Sequence, residues 1–322
     1  MSLRPLVWFL GAWIGLTACP SRTPPMPTEV TAQPAPAPTA DVYYGSAACQ
    51  GCHKKQYESW AKTWMARTLR TPVTAETDLI ASSILCGGMH VDLVLGGRVD
   101  YRFVQKRDHG YVFLPCQWST IDKKVQPFHV SDWQTFPFGE KCAACHTTNY
   151  RPDSGEWTEH GVGCESCHGP SSRHGAGFTN AGGMIRFAQL KPLQEGMICG
   201  SCHLQGGTSK FSARRYPEHY TPGDDLFKVY TFSWDSLPGH AGAATTTTSG
   251  DPVDVHQKLL VKLELDGKTS LHCTSCHAVH AATHVKHQAL PREEFCFQCH
   301  TAAPDGKLLL KEYKVQCPVC EF

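Results

Sequence analysis

CQGCH at 49–53, CAACH at 142–146, CESCH at 164–168, CGSCH at 199–203, CTSCH at 273–277 and CFQCH at 296–300 decide how this chain is read. One five-residue pattern, Cys-x-x-Cys-His, recurs six times in 322 residues that contain 17 Cys and 18 His. At those frequencies chance supplies roughly 0.05 matches, so the repeats are a design feature. Zinc knuckles come as two close Cys-x-x-Cys pairs and need no His after each second Cys, so the placement does not suit zinc. The pattern is the attachment signal for c-type haem, in which two thiols add across the vinyl groups and the adjoining imidazole ligates the iron. Six covalent haem c groups are expected. The attaching thiols are Cys49 and Cys52, Cys142 and Cys145, Cys164 and Cys167, Cys199 and Cys202, Cys273 and Cys276, and Cys296 and Cys299. The proximal ligands are His53, His146, His168, His203, His277 and His300.

Upstream of the motifs, Arg4 precedes an apolar run from Leu6 to Leu16, too short to span a bilayer and suited to a secretory signal over residues 1–18. The run ends Leu16-Thr17-Ala18-Cys19, which resembles a bacterial lipobox and predicts a lipidated Cys19 as membrane anchor. Pro20 is not the Asp of inner-membrane retention, so the expectation is the outer membrane, with the periplasm or cell surface as working compartment. Residues 19–41, dominated by Pro, Thr and Ala, read as an extended tether, and residues 42–322 as the hexahaem domain. Outside the motifs and Cys19 stand four cysteines, Cys86, Cys116, Cys317 and Cys320. An oxidising compartment predicts Cys86 paired with Cys116, and Cys317 with Cys320 unless that Cys-x-x-Cys, followed by Glu321 and not His, carries a seventh haem.

A formal charge of +1 and 18% charged residues give no basic field, so nucleic acid is not expected as a partner. The anticipated partners are redox proteins, other multihaem cytochromes among them, and the membrane through the anchor. Each haem brings a large flat apolar surface that can replace side-chain core. The expected fold is therefore mainly α, with short helices at the motifs, long irregular loops and a small β-hairpin over 91–104 around Gly96-Gly97; Tyr111 to Trp118 can add a strand. Intervals of 22 and 23 residues predict packed pairs of the second and third, and fifth and sixth, haems.

Twelve further histidines can supply sixth ligands. His280 leads, three residues past a proximal His in CTSCHAVH; His174 follows in CESCHGPSSRH, then His129 and His256. After the first motif, YESWAKTWMART offers Met65, a ligand that would raise the reduction potential of its haem.

CAACHTTNY, GEWTEHGVGCESCHGPSSRHGAG and CQGCHKKQYESW, with Met65 where relatives often place His, resemble the cytochrome c-554 family of multihaem c-type cytochromes. That family belongs to a wider group with multihaem nitrite reductase and hydroxylamine oxidoreductase. The resemblance implies parallel and perpendicular haem pairs and electron carriage. Nitrite reductases of the group attach the catalytic haem through Cys-x-x-Cys-Lys, and no Cys-x-x-Cys here is followed by Lys. An oxyanion reductase or hydroxylamine-type oxidase with one five-coordinate haem remains the alternative, with Arg214-Arg215-Tyr216 and His219 as the densest donor cluster. A subunit of an extracellular conduit or filament is the third reading.

Overall fold

Branched and aromatic side chains between Leu69 and Pro127 build a five-stranded antiparallel sheet, β1 (Leu69–Arg70), β2 (Leu93–Gly96), β3 (Asp100–Arg107), β4 (Gly110–Ser119) and β5 (Lys124–Pro127), paired in sequence order. The computed structural model describes residues 41–174, 183–204, 206–232, 261–262, 264–267 and 272–281, with the backbone of 300–302, 308–310 and 316–317. The signal segment 1–18, Cys19 and the tether up to residue 40 lie outside these residues, as do His256, Cys296, Cys299 and Cys320.

Successive side chains of a strand point to opposite faces, and here both faces are covered. Leu93, Leu95, Val104 and Phe113 join Leu69, Phe138 and Ala143 in one core cluster. Val94, Phe103, Leu114 and Cys116 join Ile80, Cys86 and Val91 in another. Phe103, Val104, Phe113 and Leu114 are completely buried, and burying a side chain of that size contributes about 1.5–3 kcal/mol each. The hairpin around Gly96 and Gly97 is present, with φ of 81° and 122°, and a Cβ on Gly96 would stand 2.6 Å from the Asp100 carbonyl oxygen. The sheet is nonetheless far larger than a small hairpin, and the mainly α expectation is wrong. Haem surface does not have to supply the core here, because this stretch packs an aliphatic and aromatic core of its own. A sheet covered on both faces reads as a continuous apolar run, as in YVFLPC, and not as a clean alternation. The Cys86–Cys116 disulfide forms as the cysteine count predicts, with a Cα–Cα distance of 6.2 Å inside the second cluster.

The described helices are short: α1 (Lys54–Trp60), α2 (Thr74–Thr77), α3 (Ala144–His146), α4 (Glu165–His168), α5 (Pro192–His203), α6 (Leu226–Val229) and α7 (Cys273–Cys276). Only α5, with 12 residues, exceeds two turns, and Pro192 at its first position suits a helix start. Two-stranded ladders, β6 (Thr147–Thr148) with β7 (Glu159–His160) and β8 (Thr208–Ser209) with β9 (Tyr230–Thr231), link the motif-bearing pieces. Near the end of the chain, β10 (His300–Ala302), β11 (Leu308–Leu310) and β12 (Gln316–Cys317) form a three-stranded antiparallel sheet. A third cluster, Met197, Leu204, Leu226, Tyr230 and Val261, seats α5 against α6 and residue 261. Among the described residues no helix is long and apolar enough to cross a membrane.

Candidate haem-attachment cluster

Each described motif lies in or beside a short helical segment. In the first motif His53 N–H donates to the Cys49 carbonyl at 2.8 Å. The second runs from a π-helical turn (Gly139–Ala143) into α3, the third lies on α4, the fourth ends α5 and the fifth forms α7. The nine described free cysteines, Cys49, Cys52, Cys142, Cys145, Cys164, Cys167, Cys199, Cys202 and Cys273, are all motif cysteines. The sixth motif lies outside the described residues apart from the backbone of His300, which opens β10.

Buried carboxylates draw motifs that are distant in sequence together. Glu165, fully buried inside CESCH, accepts from the Tyr44, Gly45 and Ser171 backbone N–H groups at 3.0, 2.7 and 2.8 Å, and from the Ser171 hydroxyl at 2.6 Å. Glu159 accepts from the Ser46 hydroxyl at 2.7 Å, and that same oxygen accepts from Cys164 N–H at 2.9 Å. Asp41 pairs with Arg173 at 2.7 Å. The first motif is thereby fastened to the third, and the Cys49 and Cys164 thiols share a hydrogen bond that pushes the Cys49 pKa up and holds that of Cys164 down to about 7. Cys145 of the second motif meets Cys202 of the fourth, and Cys199 of the fourth meets Cys273 of the fifth. Glu195, fully buried on α5, accepts from Thr274 N–H at 2.6 Å and so joins the fourth motif to the fifth. The second and third motifs are linked by the β6–β7 ladder and by Thr148 Oγ1 to Ser166 Oγ at 3.0 Å.

Two motif histidines have Nδ1 within hydrogen-bond distance of a partner, and for His168 that partner fixes the tautomer. His146 Nδ1 lies 2.7 Å from the Thr68 hydroxyl, and His168 Nδ1 lies 2.7 Å from the Ile185 carbonyl oxygen. A carbonyl only accepts, so His168 carries its proton on Nδ1, and Nε2 is left with its lone pair. Burial, and then the charges of Arg102 and His203, push the His146 pKa down to about 4, so its ring is neutral at ordinary pH. His280 faces His168 with ring centroids 5.9 Å apart and planes 14° apart. With a metal–imidazole bond of about 2 Å on either side, two axial imidazoles have centroids about 6 Å apart. Free thiols in pairs, Nδ1-protonated imidazole and this spacing fit covalent haem.

Of the other predicted ligands, Met65 is half-buried in the turn after α1, and its carbonyl accepts from Val162 N–H at 3.0 Å, just ahead of the third motif. His174 ends the 3₁₀ turn Ser171–His174 that follows α4. His129 stacks on Phe136 at 3.7 Å and faces Asp132 at 3.1 Å; Phe136 packs on the cluster that holds Ala143 and touches Cys142 of the second motif. In the Arg214 cluster, Arg214 and Ser212 both bind Glu218, while His219 rests on Phe211. Glu159, Glu165, Glu195 and Thr68 were missed as organisers of the site. The available signal was an acid at an inner motif position, or one helical turn before a motif cysteine, as Glu195 is to Cys199.

The model of the family described as cytochrome c554 and c-prime matches residues 48–86 and 117–169, which include the first three motifs. Cytochrome c-554 of Nitrosomonas europaea is 24% identical over 207 residues, 61% of this chain and 71% of that protein. The crystal structure of the outer cell wall cytochrome OcwA matches with a TM-score of 0.58 at 19% identity, covering 83% of this chain and 70% of that one. The undecahaem cytochrome from the S-layer of Carboxydothermus ferrireducens matches with a TM-score of 0.50 at 19% identity, covering 84% of this chain and 44% of that one. In motif pattern and in fold the chain is similar to multihaem c-type cytochromes, and it resembles the cytochrome c-554 family.

Proposed function

We propose that this chain is an exported six-haem c-type cytochrome that carries electrons between redox partner proteins, other multihaem cytochromes among them. Residues 1–18 direct export, Cys19 holds the mature chain on a membrane, residues 19–41 are its tether and residues 42–322 carry the haems. The observation that supports it best is the interlocking of motifs: thiols of the first and third, second and fourth, and fourth and fifth stand in contact. Groups attached at such places lie side by side, which is what transfer between them needs. His168 and His280 would hold the haem of the third motif between them, and two imidazoles on one iron would leave no position for a substrate and suit electron transfer. Met65, His129, His174 and His256 are assigned to other irons. The likeness to an outer cell wall cytochrome and to an S-layer cytochrome supports work at the cell surface.

Intact mass of the purified protein tests the haem number, and electron paramagnetic resonance with and without nitrite or cyanide tests the ligation. Six haems with only low-spin signals, unchanged by the anions, are expected. A high-spin signal that shifts on anion addition would refute the carrier reading and make the protein an enzyme.

A further inference from the structure

Beneath the junction of the fourth and fifth motifs stand two acids, of which Glu195 holds the motifs together and Glu264 takes no part in that fastening. Glu195 is well provided with donors: Thr274 N–H at 2.6 Å, the Thr274 hydroxyl at 3.1 Å and His272 Nδ1 at 2.9 Å. Glu264 is not. It is 7% exposed, and neither of its carboxyl oxygens has a hydrogen-bond partner among the described residues. One of them lies directly over Gly196, where a Cβ would overlap it, so this position of the acid depends on a glycine in α5. The Gly196 site also touches Val261. A carboxylate ionised there would be desolvated, without a donor and close to the charge of Glu195; a protonated one avoids all three penalties.

We propose that Glu264 is a proton-binding site coupled to electron arrival at the fourth and fifth motifs. Where Glu264 is ionised in the oxidised state, an electron gained there draws up to one proton from solvent onto its carboxylate, and the proton leaves when the electron moves on, so that the change in local charge is offset for that one electron. The inference rests on the reading that both motifs carry haem. Cys199 and Cys273 bring those two motifs into contact beside Glu195, and Glu195 in turn acts on Glu264. Among the described residues the charged and titratable groups around Glu264 are Glu195 on α5, His272 ahead of α7, and Lys262 and Asp266 on its own segment, the last two paired at 2.5 Å. Lys262 is therefore engaged with Asp266 and does not neutralise Glu264. Burial first, and Glu195 second, raise the Glu264 pKa to about 7, which places the exchange within reach of ordinary pH. An added electron nearby raises it further, and loss of the electron lowers it.

The test is a potentiometric titration of the full, haem-loaded chain from about pH 5 to about pH 9, with Glu264→Gln beside it. In the wild type at least one component should fall with rising pH above the oxidised-state pKa, at up to about 59 mV per unit, the value for a tenfold change and one electron. In Glu264→Gln that component should be flat while the others are unchanged. A flat wild type, or the same slope in both proteins, overturns the proposal. Redox-difference infrared spectra of the wild type give an answer that needs no variant: a carboxylic-acid carbonyl band that changes with redox state and shifts in deuterium oxide is expected, and its absence overturns the site. Haem mass is measured on the same sample. Fourth and fifth motifs without haem refute both this proposal and the carrier reading, whereas loaded motifs with pH-independent potentials refute the proton site alone.

Discussion

Glu165→Gln is the perturbation that asks most directly whether buried acids hold the motifs together. The Glu165 carboxylate is fully buried and accepts four hydrogen bonds, three through Oε1 and the one from Gly45 N–H through Oε2. Gln keeps the volume and one acceptor. With its oxygen at the Oε1 position, its NH₂ faces Gly45 N–H, donor against donor, and the three remaining bonds lose their charge assistance. One buried N–H left unsatisfied costs about 1–3 kcal/mol, and weaker bonds at the other three add to it, so a loss of about 2–4 kcal/mol is expected. Glu165→Ala removes the acceptor of three backbone N–H groups and should be worse. The loss falls on the segment from Asp41 to Cys49, because Tyr44, Gly45 and, through the neighbouring Glu159, Ser46 are its points of attachment. The assay is limited proteolysis of the haem-loaded protein with mapping of the first cut, alongside a melt followed by far-ultraviolet dichroism. Faster cleavage around residues 41–49 and a melting temperature lower by roughly 5–10 °C are expected. Glu156→Gln, which removes only an exposed partner of Arg151, serves as the control and should change neither. Cleavage and melting of Glu165→Gln indistinguishable from that control would refute the idea that this carboxylate fastens the first motif to the third.

Replacing His280 with Ala should convert one low-spin haem to high-spin and raise its potential while haem mass stays at six, read by electron paramagnetic resonance and redox titration; an unchanged spectrum would remove His280 from the iron. The Cys86–Cys116 disulfide closes a separation of 30 residues, for which the chain-entropy relation gives about 3.5 kcal/mol, so the double Ser variant should unfold at clearly lower denaturant concentration with the same haem content. Stability should also depend on pH through Glu264. Its folded pKa, about 7, lies above the ordinary 4.5, so its contribution is fully present below about pH 4.5 and is lost as pH rises through about 7. Glu264→Gln, which cannot ionise, should therefore melt higher than wild type at pH 8 and about equally at pH 4.5, and equal melting at both would contradict a raised pKa.

The six motifs, the hairpin at Gly96-Gly97 and the Cys86–Cys116 pair were legible in the sequence because each rests on short-range chemistry: adjacent thiols and imidazole, a turn that needs positive φ, and an even count of spare cysteines. The sheet was not. In β4 the run Val112, Phe113, Leu114, Pro115, Cys116 is buried throughout, so the period of two that marks a half-exposed strand is missing. The organising acids were hidden for a related reason. Glu165 and Glu195 look like ordinary solvated charges until the fold supplies their donors, and those donors come from residues 121 and 79 positions away, Tyr44 and Thr274. Nothing local records a partner that distant.

Those long-range links also change which haems can be neighbours. Intervals of 22 and 23 residues point to pairs made in chain order, and the second and third motifs are indeed adjoined through the β6–β7 ladder. The thiol contacts, however, cross that order: the first motif meets the third, the second meets the fourth, and the fourth also meets the fifth. His280, three residues past the fifth motif, comes back to His168 of the third. The third and fourth motifs therefore sit where the connections converge, and each is fixed by a fully buried carboxylate, Glu165 and Glu195, with backbone donors from another part of the chain. A buried acid whose bonds are all satisfied resists displacement, because any shift leaves both the charge and its donors uncompensated. Acids of this kind at the two points of convergence make spacing between neighbouring motifs a property of the folded chain instead of the tether lengths between them. That is the requirement an electron carrier imposes on its protein: the distances have to be held while the charge moves.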